Sequence, residues 1–164
     1  MNPAIPLLEA AREVKHALDD LNLKSVLIGG VAVFRWGQPR ITRDADFTVL
    51  CPFGDERVTV DAILARLPAR IPNAREFGIT NRVLLVKASS NGRPVDIALG
   101  ALPFEERVYE RGSAFEFGPE IVLRTCSAED LIVLKAFAGR DIDLMDVKGI
   151  IRRQRGLLDW NLIE

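Results

Sequence analysis

The apolar positions of this chain change period several times, and each change marks an element. Leu7, Ala11, Val14, Leu18 and Leu21 recur every three or four residues, the stripe of an opening helix that rests one face on a core. Val26, Leu27 and Ile28 make a short buried strand that stops at Gly29 and Gly30. Residues 31–36 then read as a helix ended by Gly37, with Pro39 beyond it. From residue 44 to residue 50 the period drops to two, so Ala45, Phe47 and Val49 share one face and Asp44, Asp46 and Thr48 share the other.

Residues 55–67 predict a helix with Val60, Ile63, Leu64 and Leu67 on its buried face, closed by Pro68 and Pro72. Two β-type runs follow, 83–88 and 95–99, joined through Asn91 and Gly92 as a hairpin, with Asp96 between Val95 and Ile97. Residues 103–111 suit a short helix stopped by Gly112, and two β segments, 114–117 and 121–124, flank a turn at Gly118 and Pro119. Ser127 is a good N-cap for a helix carrying Leu131, Leu134 and Lys135, with Asp130 in its first turn. A last helix runs from about residue 142 to residue 155, before Gly156.

No repeat, low-complexity tract or linker interrupts this order. The expectation is one α/β (α+β) domain over residues 1–164: a mixed β-sheet flanked by helices, with a core of about 1–125 and C-terminal helices over about 127–164. A length of 164 residues with 48% hydrophobic content is enough to bury a core.

Charge narrows the partners. Twenty-two basic against twenty-three acidic residues leave no global field to gather nucleic acid or an anionic membrane, so any polyanion must be met locally. Arg152, Arg153 and Arg155 form one local basic cluster, which a solvated helix end explains equally well. Cys51 and Cys126 stand far apart with no Cys or His at metal-ligand spacing, and reduced thiols are the simplest reading. His16, the sole histidine, falls on the first helix, which removes His-dependent triads from consideration. Glu9, Arg12, Glu13 and Lys15 do not resemble a secretion signal. The longest uncharged apolar run, 25–34, falls short of the roughly 20 residues that cross a bilayer. A soluble cytoplasmic protein without a membrane partner is expected.

Three carboxylates carry the chemistry. Asp44 and Asp46 project to one side of one strand close behind a glycine pair, and Asp96 arrives from another strand. Such hard oxygen donors suit Mg²⁺ or Mn²⁺, which take carboxylates together with substrate phosphates and water. An isolated Asp-x-Asp is often only the solvated face of an edge strand, but Asp is disfavoured in strands, and three in β context weigh towards a site. Gly29 and Gly30 serve either a tight turn or a helix N-terminus whose N–H groups face a triphosphate.

Ile28, Gly29 and Gly30 followed by Asp44, Ala45, Asp46 and Phe47, with Val95, Asp96 and Ile97 later, resemble the signature of the DNA polymerase β-like nucleotidyltransferase superfamily. Arg40 and Thr42, then Asp130, Leu131, Lys135, Ala138, Arg140, Asp143 and Asp146, are similar to the AbiEii/AbiGii-type nucleotidyltransferases, toxins of type IV toxin–antitoxin and phage-defence systems. The resemblance spans about residues 27–153.

It implies a nucleotidyltransferase fold and transfer of a nucleoside monophosphate from an NTP to an acceptor hydroxyl with Mg²⁺ or Mn²⁺. Asp44, Asp46 and Asp96 would hold the metal, and Asp96 would help to deprotonate the acceptor. Gly29, Gly30, Arg40, Thr42, Lys135 and Arg140 would meet the nucleotide, with Lys135 as the triphosphate cation. Asp143 and Asp146 would position Lys135 or Arg140, or else serve only as first-turn acids of the last helix. The implied acceptor is tRNA or another RNA, with a cognate antitoxin as partner. A small-molecule (antibiotic) or protein acceptor, or a degenerate non-catalytic nucleotide-binding module, is the alternative. Val31 stands where many relatives have a small hydroxylated residue, and many continue into a larger helical part beyond the position of Glu164.

Overall fold

Alternation along the strands decides the architecture. The computed structural model describes residues 4–163. Its six-stranded mixed sheet has the order β3-β4-β2-β1-β6-β5, built from β1 (Ser25–Ile28), β2 (Ala45–Leu50), β3 (Val83–Lys87), β4 (Pro94–Gly100), β5 (Ser113–Gly118) and β6 (Ile121–Thr125). β1 pairs antiparallel with β2 and parallel with β6, while β2 pairs parallel with β4, and β3 and β4 form the antiparallel hairpin expected through Gly92.

On one face, Ala45, Phe47 and Val49 of β2, Val95, Ile97 and Leu99 of β4, and Leu84 and Val86 of β3 join a core covered by α1 (Ile5–Asp20) and α3 (Glu56–Leu64). α1 buries Leu7, Leu8, Ala10, Ala11, Val14 and Leu18, the stripe its spacing predicts. Fully burying a side chain such as Leu18 or Phe47 is worth about 2–3 kcal/mol. His16 lies on the exposed side of α1.

A second core lies on the other face, where Val26 and Cys126 pack against α2 (Gly29–Trp36), α5 (Pro103–Arg111), α6 (Ala128–Ala138) and α7 (Asp141–Arg153) through Ala32, Val33, Val108, Leu131, Ile132 and Ile150. On that same face β2 and β4 carry Asp46 and Asp96, directly opposite one another in register. Both strands start at this end, so the two acids lie at the mouth of the sheet.

Several elements differ from the sequence reading, and β2 starts at Ala45, so Asp44 immediately precedes the strand instead of lying in it. α2 begins at Gly29 itself, so the glycine pair is the first turn of the helix rather than a turn before it. α3 stops at Leu64, and a further helix, α4 (Ala74–Asn81), follows Pro72. Its buried positions are Ala74 and Gly78, too small to leave an apolar stripe. Between the two helices the chain runs along the edge of β3, with Ala69 bridging Val86. α7 spans Asp141–Arg153, and a 3₁₀ turn at Trp160–Leu162 follows it.

The cap at Ser127 forms as its position predicts, with its hydroxyl accepting from the Asp130 N–H at 3.1 Å. Asp130 does more than favour a helix start: its buried carboxylate takes a two-pronged bond from Arg111 on α5. Gly139, at φ +67°, ends α6 in the left-handed conformation and sends the chain back as α7. Cys51 and Cys126 are free and buried, and among the described residues no helix is long and apolar enough to cross a membrane.

Candidate active site

The start of α2 and the start of β2 meet at the closest approach in the site. A Cβ on Gly29 would lie 2.1 Å from Asp46 Oδ2, and Gly29 takes φ +67°, so only glycine fits here. A Cβ on Gly30 would come within 2.5 Å of Thr42 Oγ1. The Thr42 hydroxyl in turn donates to the carbonyl of Asp44 at 3.3 Å, pinning the loop that leads into β2. The glycines thus let the helix N-terminus close onto the carboxylates.

A cavity of about 470 Å³ opens at this point, lined by Gly29, Gly30, Arg40, Thr42, Arg43, Asp44, Asp46, Lys135, Arg140 and Asp143, among others. One wall is acidic. Burial, then the nearby Asp44 and Asp96 charges, push the Asp46 carboxyl up to about 6, against the opposing pull of Lys135 and the Gly30 N–H. Asp96 is also raised, chiefly by burial, although Arg70 Nη2 donates to its Oδ1 at 2.6 Å. Neither Asp44 nor Asp46 has an ion-pair partner within 4.0 Å among the described residues.

The facing wall is cationic and its charges are matched. Lys135 is buried, with Nζ 2.9 Å from Asp143 Oδ1 and 3.0 Å from Asp146 Oδ2. Arg140 reaches Asp143 at 2.6 Å, and Arg40 forms a two-pronged bond to Asp146 at 2.8 Å for each arm. Burial alone would raise Asp143, but hydrogen bonds from Arg140 and Lys135 outweigh it and hold the group at about 2. The same contest, won by Arg40 and Lys135, lowers Asp146.

The residues expected from the sequence are therefore brought together in two sets. Asp44, Asp46 and Asp96 gather at the sheet end with Gly29, Gly30 and Thr42 beside them. Lys135, Arg140, Arg40, Asp143 and Asp146 form one ion-pair network across α6, α7 and the loop before β2. Asp96 and Asp146 stand just outside the residues that line the cavity. Among the described residues no three Asp, Glu, His or Cys side chains are close enough to hold an ion together as they stand.

The chemistry of the donors nonetheless suits a divalent cation. All three donors are hard carboxylate oxygens, and the Asp46 carboxyl, raised first by burial and then by the Asp44 and Asp96 charges, is a group whose ionised form a bound cation would favour.

Two residues escaped the sequence reading. Arg43 lines the cavity and has no ion-pair partner among the described residues, whereas its neighbour Arg40 is committed to Asp146. Its place one residue before Asp44 was the available signal. Arg70 gave none, because its contact with Asp96 depends on the edge pairing near Pro68. The basic cluster near the C-terminus is partly spent on structure: Arg153 donates to the carbonyls of Phe34 and Gly37 at the end of α2.

A profile of the family described as nucleotidyl transferase AbiEii toxin, type IV toxin–antitoxin system, matches residues 14–145. No curated protein matches by sequence. Among solved structures, the solution structure of the antibiotic-resistance factor ANT(2'')-Ia is similar at a TM-score of 0.58 and 18% identity, over 97% of this chain and 88% of that one. JHP933 from Helicobacter pylori is similar at a TM-score of 0.58 and 17% identity, over 99% of this chain and 72% of that one. A crystal structure of ANT(2'')-Ia in complex with adenylyl-2''-tobramycin gives 0.56 and 19%, over 88% and 87%. These likenesses are of fold, and the fold is that of nucleotidyltransferases.

Proposed function

Because this chain belongs to the AbiEii nucleotidyltransferase toxin family, we propose that it moves a nucleoside monophosphate from an NTP to an acceptor hydroxyl in a reaction that depends on Mg²⁺ or Mn²⁺. The observation that carries this reading is the cavity itself, with its unpaired Asp44–Asp46 wall facing a wall of lysine and arginine. Asp44 and Asp46 would hold the metal, and Asp96 would complete its shell. A divalent ion in such a site neutralises charge on the phosphates and on the attacking and leaving oxygens.

The remaining residues supply the binding surface. Lys135 has two of its three N–H donors directed at Asp143 and Asp146, which leaves one for a triphosphate oxygen. Arg43 and the exposed Arg140 add positive charge along the cavity. Gly29 and Gly30 keep the helix N-terminus free of side chains, so an anion approaches the backbone closely. In this reading Asp96 also helps to take the proton from the acceptor hydroxyl. The acceptor in this reading is RNA, tRNA foremost, in the cytoplasm, with an antitoxin as the controlling partner, and residues 1–164 act as one domain.

Incubating the protein with each α-labelled NTP, Mg²⁺ and total RNA tests this directly. Label should enter RNA, and Asp46→Asn should lower its incorporation by roughly two to three orders of magnitude. Label passing instead to a small molecule or a protein in a cell extract would move the acceptor assignment. No transfer to anything, with no Mg²⁺-dependent NTP binding, would refute the proposal.

A further inference from the structure

Arg70 is the one described cation bonded to any of the three carboxylates, and the fold builds that contact deliberately. Its own N–H donates to the carbonyl of Leu85 at 3.0 Å, and Leu85 is the register partner of Asp96 across β3 and β4. Ala69 bridges Val86, and the Lys87 N–H donates to the Pro68 carbonyl at 3.0 Å, so the segment is stitched to the edge strand at Arg70 and at the two residues before it. The arginine therefore starts two strand spacings from Asp96, about 10 Å. From there it crosses the β3 face that carries Leu85 and meets the carboxylate.

The bond it makes is single-pronged. Nη2 donates to Oδ1, and Oδ2 receives no hydrogen bond among the described residues. Both side chains keep more than a quarter of their surface exposed, at 29% and 28%. The pair thus resembles an exchangeable surface ion pair rather than the closed pairs at Asp143 and Asp130. It also accounts for the split site: Asp44 and Asp46 stand unpaired, while the third carboxylate is tied to a positive charge.

We infer that Arg70 is a positioning residue that holds Asp96 as a counter-ion and competes there with the divalent cation, so that it sets how tightly the third carboxylate engages the metal. The inference rests on the metal-dependent reading above. With Arg70 in place, Asp44 and Asp46 would be the carboxylates open to the ion, and Asp96 would be available to it only as far as the guanidinium leaves its charge free. Arg70 keeps the strand mouth from accumulating three uncompensated negative charges when no cation is present.

Calorimetric titration of Mn²⁺ into the intact protein, without nucleotide, reads this without any assay of transfer. Arg70→Ala should bind Mn²⁺ roughly three- to tenfold more tightly than the wild type, the size expected for losing one nearby charge. Arg70→Lys should stay near the wild type. In an Asp96→Asn background, Arg70→Ala should leave the affinity unchanged within about twofold, because the contested carboxylate charge is gone. Thermal melts of every variant confirm that each is folded.

An unchanged or weakened affinity in folded Arg70→Ala overturns the inference while leaving the metal site intact. A gain of equal size in the Asp96→Asn background also overturns it, since that would be a long-range charge effect that bypasses Asp96. Failure of the wild type to bind Mn²⁺, with or without NTP, would instead sink the metal-dependent function and this inference with it.

Discussion

The two walls of the cavity solve the problem of buried charge in opposite ways. On the helical wall, Asp143 and Asp146 are almost fully enclosed, yet every carboxylate has two cationic partners. On the strand wall, Asp44 and Asp46 have none, and burial with mutual repulsion raises Asp46 to about 6. The first arrangement is closed and structural. The second is held in a state that costs stability whenever it is ionised, which is the mark of a group kept for a ligand.

The comparison is broken most forcefully at Lys135. Removing it as Lys135→Ala leaves two buried carboxylates short of a partner, a loss of about 3 kcal/mol for a buried pair. Arg140 and Arg40 remain to limit the damage. Urea unfolding should report a fall of that order, together with weakened NTP binding. A stability change under about 0.5 kcal/mol would show that the network is not closed in the way described.

The same experiment on the strand wall should change sign. Asp46→Asn removes a charge that the fold disfavours, so the variant should gain about 1–2 kcal/mol at neutral pH even as transfer is lost. A variant that loses both activity and stability would remove the distinction between the walls.

A smaller effect separates the walls by pH. The Asp46 carboxyl is raised from 3.8 to about 6 in the fold. The native state therefore holds the extra proton, and stability falls as pH rises from about 4 to about 6. Asp143 is depressed to about 2, so its stabilisation is complete above about 4 and fades only as pH drops towards 2. Melting temperatures between pH 4 and 6 should decline in the wild type and flatten in Asp46→Asn. A rise over that window would contradict the assignment of the shift to Asp46.

The two walls also differ in how far the sequence revealed them. The acids of β2 and β4 were legible because a period of two fixes which residues share a face, and hydrophobic neighbours fix which face is buried. The chain never needs to leave the strand for that argument. Helix α6 was legible from the Ser127 cap for the same local reason. The pairing of Lys135 and Arg140 with the two aspartates of α7 was expected only through the family resemblance, not from any local pattern, because it depends on how α6 and α7 fold back at Gly139. Arg40 meets Asp146 across 106 residues, and no local pattern encodes such a partner.

What escaped altogether follows the same rule. Helix α4 buries Ala74 and Gly78 and so carries no hydrophobic period to detect. Arg70 depends on an edge segment between two prolines docking against β3. The sequence reading set the glycine pair beside the carboxylates, but its tightest constraint is the Asp46 carboxylate pressed against Gly29, which only the assembled sheet displays.

Calorimetric titration of each NTP into the protein, with Mg²⁺ and then with the metal chelated, puts the central contrast to its most direct test. Metal-dependent binding should appear for the wild type and disappear in Asp46→Asn, whose helical wall is untouched. Nucleotide that binds equally well with the metal chelated, or equally well to Asp46→Asn, would show that the cationic wall alone makes the site and would contradict the role given to the unpaired acids.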